Sequence, residues 1–340
     1  MNILLTGHAG FIGFHVARRL IGRGDSVVGV DNVNAYYDVA LKRARLERLE
    51  AAAATGGAGY RFVRADIADR AALARLFGAH AFDRVIHLAA QAGVRYSLEN
   101  PHAYAETNLV GFTNILEACR QAGVPHLTFA STSSVYGANS RIPFSEHDGA
   151  DHPVQFYAAT KRANELMAHS YAHLHGLPVT GLRFFTVYGP WGRPDMAYFK
   201  FTRAIVEGEP IAVFNHGDHA RDFTYIDDIV DCVVAASDDI ARPNPDWDAG
   251  DPDPATSAAP FRLLNVGGSR PVRLADFIGV IENAVGRSAI IEYLPKQPGD
   301  MAETSADTSE LEARLGLRPR VGIEEGIGAF VAWYREFYRN

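Results

Sequence analysis

Short apolar runs alternate with longer amphipathic stretches through the first half of the chain. Ile3-Leu4-Leu5, Ser26 to Val30 (ending in Asp31), Arg61-Phe62-Val63, Asp83 to Leu88, His126 to Ser131 and Val179 to Phe184 read as strands. Between them, Phe11 to Gly22, Tyr37 to Ala54, Ala71 to Phe77, Pro101 to Gln121 and Phe156 to His175 carry the period of a helix with one buried face. Such alternation predicts an α/β fold built on a parallel, doubly wound sheet. A ligand then belongs outside the carboxyl ends of the strands.

After Phe185 the rhythm changes. Gly189 to Pro194 reads as loop, Phe199 to Glu207 as helix, Ile211 to Phe214 as strand and Asp227 to Ser237 as helix. Residues 241–260, rich in Pro, Asp and Ala, read as an exposed, mobile loop without chemistry. A strand resumes at Arg262 to Val266, and helices follow at Leu274 to Val285 and Ile323 to Tyr338. The expected organisation is a sheet domain over 1–185, with about 221–240 and 262–267 returning to it. A smaller, discontinuous mixed α/β substrate domain occupies 186–340.

Composition narrows the partners. Of 340 residues, 47% are hydrophobic and 21% charged, as in ordinary globular chains. The net charge of -7, from 33 basic and 40 acidic residues, argues against a nucleic-acid binder. Cys119 and Cys232 lie in helical patterns and read as buried, inert thiols, which suits a reducing cytoplasm. Neither a leader peptide nor an apolar run near the roughly 20 residues of a membrane span is visible, so no membrane partner is expected. His87 reads as a packing histidine. His169, His173 and His175 lack the companions of a metal site, and no metal is expected.

Three segments carry chemistry. Gly7, Gly10 and Gly13, with Phe11 and Ile12, join the first strand to the first helix. Glycines there permit a tight turn and close approach to a diphosphate, which the helix N-terminus attracts. Asp31 ends the second strand, where a carboxylate accepts hydrogen bonds from ribose hydroxyls and repels a 2′-phosphate, favouring NAD. Asp66 and Ile67, after the third strand, are within reach of an adenine in that arrangement. Tyr157 and Lys161 stand one helical turn apart, and Thr132 ends the fifth strand. A tyrosine titrates near ~10, so a phenolate base near neutrality needs a shift of roughly three units. A neighbouring ammonium, the positive nicotinamide and a hydroxyl partner all act in that direction.

With these motifs in place, nearly the whole chain resembles the extended short-chain dehydrogenase/reductase family, and within it the NAD-dependent epimerases and dehydratases of nucleotide sugars. The likeness rests on Thr6 to Gly13, His87 to Arg95 (including Leu88 and Ala89), Ser131 to Gly137, Tyr157 to Lys161, Arg183 to Met196, Arg221 to Asp228 and Gln297 to Asp300. It implies a Rossmann-type domain that holds NAD, with Thr132, Tyr157 and Lys161 as catalytic residues. The implied activity is C4 epimerisation of UDP-glucuronate to UDP-galacturonate: Tyr157 takes the 4-hydroxyl proton, hydride leaves C4, and the 4-keto sugar turns over before hydride returns. Related decarboxylases and dehydratases place an acid where Ser134 stands, and dehydratases Asp-Glu where Ser133 and Ser134 stand. Hydroxyls there provide no proton shuttle and can bind a substrate carboxylate. By the same resemblance Thr186 and Arg193 face that carboxylate, with the UDP diphosphate as the other partner open to Arg193. Arg95 and Arg221 are candidates for either anion, and Asp300 for the uridine ribose. A homodimer through Pro101–Gln121 and Phe156–His175 is also implied. Alternatives left open are an epimerase of a neutral or N-acetylated UDP-hexose, a UDP-glucuronate decarboxylase, and an NAD-binding sensor or scaffold.

Overall fold

The computed structural model describes residues 1–295, 301 and 303–338. The first half contains β1 (Asn2–Thr6), α1 (Phe11–Gly22), β2 (Ser26–Asp31), α2 (Val39–Gly56), β3 (Tyr60–Arg64), α3 (Arg70–Ala79), β4 (Arg84–His87), α4 (Tyr96–Glu99), α5 (Pro101–Tyr104), α6 (Phe112–Ala122), β5 (Leu127–Thr132), α7 (Phe156–His175) and β6 (Val179–Phe184). There follow β7 (Thr186–Tyr188), α8 (Ala197–Glu207), β8 (Pro210–Phe214), β9 (Ala220–Tyr225), α9 (Ile226–Asp238), β10 (Phe261–Val266), β11 (Pro271–Arg273), α10 (Leu274–Val285), β12 (Ile290–Leu294), α11 (Ser309–Leu315) and α12 (Ile323–Tyr338).

Seven strands form one parallel sheet in the order β10-β6-β5-β4-β1-β2-β3. Strand order reverses between β1 and β4, so their carboxyl ends flank a crevice. The period-two geometry of a strand splits each apolar run between two cores. Ile3 and Leu5 of β1 join Phe14 and Leu20 of α1 and Val233 of α9 on one face. Leu4 joins Phe112 and Leu116 of α6, Phe129 of β5 and Ala168 of α7 on the other. Both faces are covered, which is why these strands are continuously apolar. A third core joins α8, α10 and α12 through Phe199, Phe277, Ile281, Phe330 and Tyr334. Small sheets β11-β9-β7 and β12-β8 complete the chain.

The architecture is the α/β, doubly wound one that the hydrophobic pattern predicts, with three local differences. Helix α2 starts at Val39 rather than Tyr37, because the Asp38 carboxylate accepts from Ala40 N at 2.8 Å and caps it there. Tyr37 is thereby left outside the helix. The helix expected over Pro101 to Gln121 is interrupted by a π-type turn at Ala105–Gly111. The 241–260 segment is irregular, as expected, but it is not exposed throughout: Ala241, Ala255, Ser257 and Ala259 are buried. It is pinned by Asn244 N to Ser257 O at 2.8 Å and by Ser257 Oγ to His169 Nε2 at 2.8 Å. The strands β7, β9, β11 and β12 and the helices α4 and α11 escape the sequence pattern because they are short, from three to seven residues, and β12, though apolar, is largely exposed.

Four histidines are sealed in this frame. Burial lowers His8 and His126 to about 4, and His15 and His87 to about 3, from an ordinary 6.5. Above 6.5 they are neutral in both states and contribute no pH dependence. Below it the unfolded chain takes up protons that the folded chain refuses, so stability falls with pH by up to about 1.4 kcal/mol per unit for each histidine. The melting temperature should therefore drop steeply between pH 6.5 and 4.5. A flat profile over that window would contradict the burial of these rings in a neutral state.

Candidate active site

The crevice is a cavity of about 440 Å³ that runs across the carboxyl ends of the strands. At one end stands the glycine turn between β1 and α1. Gly7 has φ +70°, the left-handed region, and a Cβ there would lie 2.6 Å from Ala89 N. A Cβ on Gly13 would lie 2.6 Å from the His8 Cα, so the first turn of α1 packs directly on the loop. No side chain caps α1, and no acid occupies its first turn, which leaves that positive helix end to an anion in the cavity. The cradle thus fits a dinucleotide diphosphate. Asp31 is buried at the end of β2, with Oδ1 accepting from Val33 N at 2.8 Å and Oδ2 from Ala9 N at 3.2 Å. Burial pushes its carboxyl up; those two N–H groups and the Lys42 ammonium oppose the rise. Lys42 is engaged by Asn34, at 2.9 Å to its O and 2.8 Å to its Oδ1.

At the centre, α7 presents Tyr157 and Lys161 to the end of β5. Thr132 Oγ1 accepts from Ser134 N at 3.2 Å and lies 3.3 Å from Ser134 Oγ, so it caps the turn that follows. Burial pushes the Tyr157 phenol above its ordinary range, against the pull of Arg193 and of its hydrogen bond with Thr132. Burial also lowers Lys161 to about 8, against the upward pull of Glu165. Tyr104 packs edge-on against Tyr157, ring centroids 6.0 Å apart.

The π-type turn serves this centre. Buried Asn108 accepts from Gln91 N at 2.8 Å and donates to Gln91 O at 3.1 Å and Thr160 Oγ1 at 3.0 Å. Asn164 of α7 donates to Asn108 O at 2.7 Å. One side chain thus ties the segment after β4 to the helix that carries Tyr157 and Lys161. Extra residues of this kind in a helix recur at functional sites.

The far end is built after β6 and from β9. Thr186, Arg193, Met196, Arg221, Met301 and Thr304 line it. Asp195 holds Arg193 by one guanidinium edge, Nε to Oδ1 at 3.0 Å and Nη2 to Oδ2 at 2.5 Å, and also accepts from the Tyr36 hydroxyl at 3.2 Å. Arg221 donates to Ala220 O at 2.9 Å and Met301 O at 2.5 Å.

The cavity gathers Gly7, Gly10, Phe11, Ile12, Gly13, Asp31, Asp66, Ile67, Leu88, Ala89, Thr132, Ser133, Ser134, Tyr157, Lys161, Thr186, Arg193 and Arg221. Arg95 is not among its lining residues; its guanidinium lies over the Phe214 ring at 4.7 Å. Asp300, with the rest of Gln297 to Asp300, lies outside the described residues. Lining residues that the sequence reading passes over include Asn32, Asn34, Tyr36, Lys42, Gln91 and Thr304. Asn32 and Asn34, directly after Asp31, were within reach of a motif argument. Lys42 needs the fold, which brings α2 against Asn34 in the loop after β2.

A parallel sheet with a glycine cradle at its switch point and a tyrosine–lysine pair across from it defines a dinucleotide-dependent enzyme of hydroxyl-bearing substrates. Residues 3–250 match the NAD dependent epimerase/dehydratase family. The chain is 52% identical to the probable UDP-glucuronate 4-epimerase of Rhizobium meliloti (strain 1021), over 100% of this chain and 98% of that protein. It is 32% identical, with a TM-score of 0.87, to the UDP-glucuronic acid 4-epimerase of Bacillus cereus solved with UDP-glucuronic acid and NAD, over 99% and 100% of the two chains. The Thermotoga maritima UDP-glucose 4-epimerase solved with UDP-glucose is similar at 29% identity and a TM-score of 0.84, over 99% and 100%. The chain belongs to the NAD dependent epimerase/dehydratase family.

Gly13→Val places side-chain carbons against His8 and closes the cradle. The variant should purify with a native far-ultraviolet circular dichroism spectrum and little bound dinucleotide, measured by chromatography after denaturation. Wild-type nucleotide content would contradict the cradle.

Proposed function

We propose that this chain interconverts UDP-glucuronate and UDP-galacturonate by C4 epimerisation with bound NAD, and that the substrate keeps its carboxylate. The observation that carries the reading is the end of β5: Thr132, Ser133 and Ser134 line the cavity beside Tyr157, with hydroxyls and no acid. Similarity to UDP-glucuronate 4-epimerases along the full chain supports the same substrate.

Tyr157 accepts the proton of the sugar 4-hydroxyl, relayed through Thr132. The Lys161 ammonium stabilises the Tyr157 phenolate that acts as this base, which burial alone disfavours. NAD, when bound, would supply a reversible hydride acceptor for C4 of the sugar. The 4-keto sugar is a β-keto acid, prone to lose carbon dioxide. Ser133, Ser134 and Thr186 donate hydrogen bonds to its carboxylate, and Arg193, held by Asp195 at one edge, meets an anion with its remaining N–H groups. No general acid stands at the strand end to assist the forward loss. Arg221 binds the diphosphate, and residues 186–340 hold most of the UDP-sugar, while 1–185, joined by α9 and β10, hold NAD.

We also infer a homodimer through the helical segments at Pro101–Gln121 and Phe156–His175, which expose Val110, Leu166 and Leu174. A cytoplasmic location suits the buried free thiols of Cys119 and Cys232, both raised by burial. Among the described residues no helix is long and apolar enough to cross a membrane.

Purified protein given UDP-glucuronate and no added NAD should form UDP-galacturonate, read by NMR. Tyr157→Phe should lower turnover on the order of 10²- to 10⁴-fold. UDP-xylose and carbon dioxide as main products would overturn the proposal, as would an unimpaired Tyr157→Phe.

A further inference from the structure

A fully buried carboxylate lies directly behind the catalytic pair. Glu165 is one helical turn past Lys161 on α7 and is 1% exposed. Its Oε1 accepts from Ser131 Oγ at 2.6 Å and from Arg183 Nε at 2.9 Å. Its Oε2 accepts from Arg183 Nη2 and Arg162 Nη1, both at 2.9 Å. Ser131 precedes Thr132 on β5 and pairs in register with Arg183 on β6. Arg183 is fully buried, with its guanidinium 4.8 Å from the Tyr136 ring. We propose that Glu165 is a positioning residue: its carboxylate keeps the Lys161 ammonium charged and, through Ser131, fixes the Thr132 strand end against α7. The catalytic part of this proposal rests on the epimerase reading above.

The charges around Lys161 give the effect its sign. On α7 it faces Tyr157 and Glu165. His87 of β4 also feels its charge and is itself neutral, burial holding it at about 3. Arg193 acts on Tyr157 from across the cavity, and Tyr104 of α5 packs on the same ring. Arg183 and Arg162 bear on Glu165. Glu165 is thus the anion beside a lysine that burial pulls down to about 8. Without it, the Arg183 guanidinium loses its carboxylate partner and Arg162 keeps only Asp151, at 3.2 Å, so the ammonium loses its proton at lower pH. A carboxylate that only held the helix to the sheet would leave that titration in place.

The test follows the Lys161 Cε resonance against pH in NAD-loaded protein labelled with [ε-13C]lysine. The chain's lysines are Lys42, Lys161, Lys200 and Lys296, so the spectrum is sparse. In Glu165→Gln the Lys161 midpoint should fall by roughly one pH unit or more. Glu165→Asp, which keeps the charge, should restore it, and Ser131→Ala should leave it in place. The alkaline limb of kcat should shift with the midpoint, while KM for UDP-glucuronate stays within about twofold of wild type. If Glu165→Gln does not fold with Arg183 left unpaired, Glu165→Gln/Arg183→Met removes both charges and should show a fall in the same direction, smaller because a guanidinium leaves with the carboxylate. A midpoint unchanged from wild type in the folded variant would overturn the proposal. So would a Glu165→Asp midpoint displaced as far as that of Glu165→Gln. Wild-type protein that makes no epimer would refute the function reading, while the lysine titration would still decide the role of Glu165.

Discussion

A lysine ammonium must stay charged in a place from which water is excluded. Lys161 is 1% exposed, beneath the carboxyl edge of a sheet covered on both faces. Burying an unpaired charge is costly, so its surroundings are arranged around it. Glu165 is the compensating anion, and Arg183 and Ser131 bind that anion to β6 and β5. His87 beneath it is kept neutral. Asn108, released into the core by the π-type turn, locks the helix one residue before the lysine through Thr160. Apart from the pairing of Glu165 with Lys161 along α7, these contacts cross between separate elements, so the geometry around Tyr157 depends on the sheet as well as on α7.

The two ends of the cavity are joined by another buried cation. Arg45 of α2 is fully buried and donates to Ala9 O at 2.8 Å in the glycine turn and to Trp191 O at 2.6 Å in the loop after β7. The cradle and the arm that carries Arg193 are thereby held in one frame. Asp222 does similar work beside Arg221, accepting from Gly268, Ser269 and Ala306 N–H groups at 2.7, 3.0 and 2.8 Å. Buried charges satisfied by backbone groups in this way fix loops that have little apolar area of their own.

Much of this was legible in the chain. Long amphipathic segments closed by glycine, such as Phe156 to His175 with Gly176 in the left-handed region, were bounded correctly because period and cap agree. The three motif segments met in one cavity because a parallel sheet brings every strand's carboxyl end to one edge. Strand β9 was hidden, since Arg221, Asp222 and Thr224 look like loop until their tertiary partners are known. Arg45 and Glu165 belong to none of the motifs, and no spacing rule says that α2 and α7 bury them. Tyr37 lines the cavity from outside α2 because Asp38 starts that helix later than the apolar period suggests. Arg95, chosen from a motif, lies on Phe214 instead of on the cavity wall.

The central claim is that the 4-keto sugar is formed and re-reduced in place, without loss of its carboxylate. Its most direct test is isotopic. UDP-glucuronate carrying deuterium at C4 and carbon-13 at C6 is converted in ordinary water with unlabelled NAD present in solution, and the product is read by mass spectrometry and NMR. UDP-galacturonate retaining both labels is the predicted result. Deuterium lost to solvent or to free nucleotide, or carbon-13 released as carbon dioxide, would contradict the account.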